Sequence, residues 1–303
     1  MNDAVLERLM RFFDGLDSFA GVFRFETRFQ NGLCASYLAA NGGTVQSSEL
    51  YACRDAAKRV LPFASMTRAI LPAVCLYMAQ SDAPEAAAQK VTEAYRSLRR
   101  YFGPTEYAAF GALCLAEGAD AAEFEKFAAN ARTVYNAMKA RHGMRTSTRD
   151  VPACVMLALR GADPEKAAED ADACFKLLRG EQRLRVRWCT AQASALDPRE
   201  AAAKAPGIAA LYRRLRTENR GFRDWYELCA LAADEAGFTV CANDALAVYD
   251  LLRSEKKLNA LHLDAAERLT LAYMLVRPSK ELYVYASAGH LEKRAARAAA
   301  AAT

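Results

Sequence analysis

Histidine is scarce: the 303 residues hold three, His142, His262 and His290. They lie far apart in sequence and share no metal-ligand spacing, which argues against a zinc centre. Fifteen glycines and nine prolines make up about 8% of the chain, against ~12% in an average protein. With turn-formers few and alanine abundant, helix is favoured over sheet. No alternating apolar–polar run is long enough to read as a strand. Glycine-rich phosphate loops are missing, both G-x-x-x-x-G-K-[ST] and G-x-G-x-x-G, so nucleotide-dependent chemistry has no support. H-E-x-x-H and G-x-S-x-G are missing too. The longest apolar run, AILPAVCLYMA (69–79), is too short to cross a bilayer. The N-terminal MNDAVLERLMRFFDGLDSF interleaves charge with apolar residues, unlike a signal peptide. Nine cysteines, an odd number with no C-x-x-C pair, read as reduced thiols. The expectation is a cytoplasmic protein without metal, cofactor or membrane span, and not an enzyme.

What is present is a repeat. Aromatic-x-x-Leu/Met-Lys/Arg occurs five times, in YRSLR (95–99), YNAMK (135–139), FKLLR (175–179), YRRLR (212–216) and YDLLR (249–253). Successive aromatics are 40, 40, 37 and 37 residues apart. Small or apolar residues stand four and one positions before each aromatic, so these positions and the Leu/Met share one helical face. The basic residue follows near the helix end, where it suits the dipole. A second helix precedes each copy and carries a cysteine at matched places: Cys34, Cys75, Cys114, Cys154, Cys189 and Cys229. A small buried apolar side chain at a tight helix–helix contact accounts for them better than a chain of redox or metal-binding thiols.

Helix starts are marked by Asp163-Pro164 and Asp197-Pro198, and by Asp120…Glu123 and Ser147…Asp150 at capping-box spacing. A single helix pair cannot bury its apolar face alone, but stacked pairs can. The expected fold is therefore an all-α superhelix, a solenoid of about six antiparallel helix pairs over 19–258. An N-terminal capping helix (1–18) would precede it. Further helices and an Ala-rich tail that frays (259–303) would follow.

Tandem helix pairs with small residues and aromatics at fixed places resemble tetratricopeptide and pentatricopeptide solenoids, and ARTVYNAMKARHGM (131–144) is similar to the second helix of a pentatricopeptide unit. YNAMKARHGMRTSTRDVPACVMLALRGAD (135–163) carries a resemblance of wider reach, chiefly through Met138-Lys139, His142, Thr146 and Asp150. QASALDP (192–198) and the Ala-rich tail after Leu291-Glu292 add to it. With these the chain resembles a bacterial family known as domain-of-unknown-function family four-thousand-and-three. That resemblance implies a helical bacterial protein and no particular activity.

His142, Thr146 and Asp150 invite a reading as base, hydroxyl and carboxylate, but they fall between helix pairs. There an N-cap, a capping box and a histidine at a helix C-terminus explain them as well. Net charge is +5 overall, yet 179–223 alone holds eleven Lys and Arg against four Asp and Glu. Within it Arg183, Arg185 and Arg187 flank Trp188, and Arg213, Arg214, Arg216 and Arg220 follow Tyr212. Arginine interleaved with aromatics suits phosphates, stacked bases or an acidic protein, and also a solvated helix face. The expectation is a non-enzymatic scaffold binding a protein or peptide in its groove, an acidic partner being the one this charge suits. RNA or single-stranded nucleic acid on 179–223 is the alternative. A small-molecule sensor or enzyme with a site inside the superhelix is the next.

Overall fold

The structure, a computed structural model, describes residues 2–62, 65–143, 145–218, 226–232, 238–258 and 263–301. Among the described residues there are α-helices and short 3-10 turns and no strand, so the all-α expectation holds. In chain order the helices are α1 (Asp3–Val22), α2 (Arg28–Ala40), α3 (Ser47–Val60), α4 (Leu71–Ala79), α5 (Pro84–Phe102), α6 (Glu106–Gly118), α7 (Phe124–Arg141) and α8 (Val151–Leu159). They continue with α9 (Pro164–Arg179), α10 (Trp188–Ser194), α11 (Ala201–Glu218), α12 (Tyr226–Ala232), α13 (Phe238–Ser254), α14 (Ala265–Val276) and α15 (Lys280–Ala301). None of the described helices is long and apolar enough to cross a membrane.

Several starts follow the expected chemistry. Thr27, Thr105 and Asp163 each accept a backbone N–H at the head of α2, α6 and α9. Asp197-Pro198 does not open α11 as expected. The Asp197 carboxylate instead accepts from the Arg199 backbone and guanidinium, and the helix begins at Ala201. The repeat itself is real in space. Tyr95, Tyr135, Phe175, Tyr212 and Tyr249 lie on α5, α7, α9, α11 and α13, and all are buried. In three copies the basic residue four places on meets the aromatic directly. Arg179 lies 5.3 Å from the Phe175 ring centre, Lys139 5.9 Å from that of Tyr135, and Arg216 Nη1 donates to Tyr212 Oη at 3.0 Å.

The odd-numbered helices from α1 to α13 pack in succession as an outer layer, and each also packs on the even-numbered helix that follows it. The open superhelix is corrected at its ends, because α14 packs against α2 and against α1. Arg8 Nη1 donates to the carbonyls of Leu275 (3.2 Å) and Val276 (3.0 Å). At Gly32 an added Cβ would come within 3.0 Å of Leu271 Cδ1, so the absence of a side chain lets α2 and α14 approach. Among the described residues the array is thus a ring of seven outer–inner pairs closed by α14 on α1 and α2, and α1, expected as an end cap, is the outer helix of the first pair.

The lumen of the ring is filled by α15, which packs against α2, α6, α8, α12 and α14. It runs antiparallel to the inner helices. Lys280 pairs with Glu117 (2.7 Å) at the end of α6, and Glu281 pairs with Arg160 just past α8. At its other end His290 Nε2 meets Thr27 Oγ1 (2.7 Å) ahead of α2. Between them Tyr283 stacks on Tyr37 with ring centres 4.6 Å apart, and its hydroxyl lies 3.6 Å from Cys34 Sγ. The inner helices are accordingly buried almost all round: eleven of thirteen residues in α2 and all seven in α10, against six of sixteen in outer α9. Cys34, Cys75, Cys114, Cys154, Cys189 and Cys229 fall one to each inner helix from α2 to α12, and all are buried. Burial pushes the Cys34 and Cys114 thiols up to about 12, so neither is a nucleophile near neutral pH.

Removing the side chain at the centre should be costly. Tyr283→Ala is expected to destabilise the protein by about 3–5 kcal/mol, whereas Tyr283→Phe keeps the stacking and should lose about 1 kcal/mol or less. Urea unfolding followed by circular dichroism separates the two.

Candidate functional site: an arginine-lined cleft

The connections from α7 to α8 and from α9 to α10 lie side by side, on the face of the ring where inner helices begin. Between them is a cleft of about 550 Å³ lined by Arg145, Arg149, Arg179, Arg185 and Arg187, with Phe175 and Trp188 among its walls. Five guanidinium groups meet one carboxylate there, Asp150, and that carboxylate is turned to structural use. Its Oδ2 accepts from the Ser147 backbone at 2.7 Å, closing the capping box that opens the turn into α8. With the Gln192 amide turned so that its nitrogen faces the carboxylate, that nitrogen donates to Asp150 Oδ1 at 2.7 Å and the amide oxygen lies 3.1 Å from Trp188 Nε1, whose proton it shares with Thr146.

His142, Thr146 and Asp150 do not form a relay. Thr146 Oγ1 accepts from Trp188 Nε1 (3.0 Å) and donates to the His142 carbonyl (3.3 Å). The His142 ring packs on Trp188, with centres 4.1 Å apart, and its Nε2 bonds Asp172 Oδ1 at 2.9 Å. Together the three residues brace Trp188 and the loop before α8, so they position the cleft wall. Arg145 and Arg179 each rest over Phe175, their guanidinium carbons 5.3 Å from its ring centre. Stacking holds planar guanidinium groups in place before any ligand arrives.

The basic segment 179–223 divides in space. Arg185 and Arg187 line the cleft with Arg179. Arg183 turns the chain in the left-handed region, with φ at 54°, and is exposed. Arg213 donates to the Gln182 carbonyl at 2.7 Å, and Arg214 bonds Asn243. Arg216 is spent on Tyr212. Lys204 is wholly buried, paired with Asp170 and donating to the carbonyls of Ser194 (2.8 Å) and Asp197 (3.1 Å). Arg220 lies outside the described residues, as do Arg223 and His262. The aromatics of the pattern are unavailable for stacking: Trp188 is 2% exposed, Phe175 6% and Tyr212 3%.

Sequence reasoning missed Arg145 and Arg149 as members of this cluster, and Asp172 and Gln192 as its supports. The signal was two arginines four apart inside RTSTRD (145–150), the stretch already singled out for Thr146 and Asp150. A charge window confined to 179–223 leaves them out. Among the described residues no group of three or more His, Cys, Asp and Glu is gathered for a metal ion.

A family model described as "Protein of unknown function (DUF4003)" matches residues 18–284. No curated protein matches the chain, and no solved structure does.

Burial pushes the Asp172 carboxyl up, but hydrogen bonds from Lys176 and His142 outweigh it and hold the group below its ordinary value. A depressed carboxylate stabilises above the unfolded-state value and loses that contribution as pH falls through the folded one. Asp172→Asn should therefore cost about 1–2 kcal/mol near neutral pH, a gap that narrows as pH drops below about 4. Urea midpoints of both proteins across pH 3–7 measure it.

Proposed function

The chain belongs to that family, and we propose that it is a non-enzymatic recognition module that takes an acidic segment of a partner protein in the arginine-lined cleft. The observation that carries the reading is convergence: two connections and the end of α9 bring five guanidinium groups to one recess, where Asp150 is the one lining carboxylate among the described residues and caps the turn into α8. Fixed guanidinium groups favour carboxylates through bidentate, charge-assisted hydrogen bonds. The lumen of the ring is already filled by α15, which supports docking on this face over docking in a concave groove. Recognition of bases in RNA or single-stranded DNA would call on exposed aromatic faces, and Trp188, Phe175 and Tyr212 are buried. A cytoplasmic, reducing setting suits the eight described cysteines, all of them free thiols.

The reading is tested by fluorescence anisotropy with a labelled oligoglutamate peptide. Binding is expected at low salt, weakening as salt is added. Combining Arg145→Glu with Arg185→Glu should weaken it by roughly tenfold or more. Binding that ignores both changes would remove the cleft from the function. Preference for a labelled RNA homopolymer over oligoglutamate would transfer the reading to nucleic acid.

A further inference from the structure

We infer that the group this cleft is built to hold is a phosphoryl group on a side chain of the partner. The inference rests on the reading of the cleft as a recognition site for an acidic segment, and it names the chemistry recognised there.

Charge is the first argument. Many arginines elsewhere are neutralised within the chain: Arg141 by Glu169, Arg160 by Glu281, Arg199 by Asp197. Among the described residues Arg145, Arg179 and Arg185 have no carboxylate partner, yet they line the same recess as Arg149 and Arg187. Like charges gathered in about 550 Å³ repel one another, and the arrangement is relieved when a counter-charge enters. A carboxylate brings one negative charge and two oxygens. A phosphoserine or phosphothreonine brings close to two charges and three strong acceptor oxygens, enough for several guanidinium groups at once.

Shape is the second. Arg145 and Arg179 dock on one ring, Phe175, so their planes are set before binding. The ring itself is 6% exposed and Trp188 2%, so the walls offer cations and no aromatic face to a flat ligand. Two further arginines of the basic segment are taken up within the chain: Arg213 by Gln182 in the α9–α10 connection and Arg214 by Asn243 on α13. A compact anion on a chain that can lie across the rim fits this better than a polyanionic backbone.

The test uses the full chain and three degenerate peptide libraries that differ only at a fixed central residue: phosphoserine, glutamate or serine. Phosphoserine peptides are expected to bind roughly tenfold more tightly than the glutamate set, and serine peptides weakest. Inorganic phosphate should compete. Arg185 has no hydrogen-bond or ion-pair partner among the described residues, so Arg185→Gln leaves the fold intact by circular dichroism while erasing the preference. Equal binding of phosphoserine and glutamate peptides overturns this inference and leaves the acidic-segment reading standing. Failure of both sets to bind overturns the two together. A phosphoserine preference untouched by Arg185→Gln and by Arg145→Gln shows that the phosphoryl group is held elsewhere and also overturns it.

Discussion

Burial on two sides is the constraint from which the rest of the architecture follows. Each inner helix faces an outer helix on one flank, and most of them face α15 on the other. Such a helix has no solvent stripe, so alanine, cysteine, glycine and serine recur where backbones approach, and large residues are confined to the gaps. Tyr283 and Tyr285 of α15 are the bulky members at the centre, both buried. The ring gains a core without a free concave surface, and the recesses described on it lie among loops and helix ends.

The same packing bears on where the positive charge gathers. Connections into inner helices need capping groups, and between α7 and α8 the capping is done by Asp150, which is locked between Ser147 and Gln192. Beside that acid, Arg145, Arg179 and Arg185 line the recess without a carboxylate partner among the described residues. His142, Thr146 and Trp188 hold the two connections together from beneath, through one hydrogen bond to Asp172 and a packed pair of rings. The cleft is therefore rigid at its base and charged at its rim, an arrangement that suits selection of an anion by geometry as well as by attraction.

Much of the fold was legible in the chain because a repeated face leaves a repeated pattern. The five aromatics and six cysteines marked outer and inner helices at nearly every turn of the array. Closure was not legible, since it depends on unique contacts such as Gly32 with Leu271 and Arg8 with Val276, which recur nowhere else. One clue was available in retrospect: stretches such as VPACVMLAL (151–159) are apolar all round, which an open solenoid with a wet inner face does not require. The candidate site was half legible. The basic segment pointed to Arg185 and Arg187, but the sequence could not show that Arg213 is taken up by Gln182 and Arg214 by Asn243, or that Arg145 crosses to meet Phe175. Those pairings are tertiary and carry no local signature.

The position of α15 has a further consequence for how the molecule comes into being. This helix follows in the chain every helix it touches, so a ribosome releases it after them. Until then the nascent ring has an unfilled middle lined by apolar side chains, and contacts such as Arg8 with Val276 must wait for the far end of the chain. Assembly of this kind is slow and leaves sticky surface open to chaperones and proteases meanwhile. A chain halted before Lys280 would stay in that condition, because the inner helices meet their second apolar neighbour only when α15 is in place.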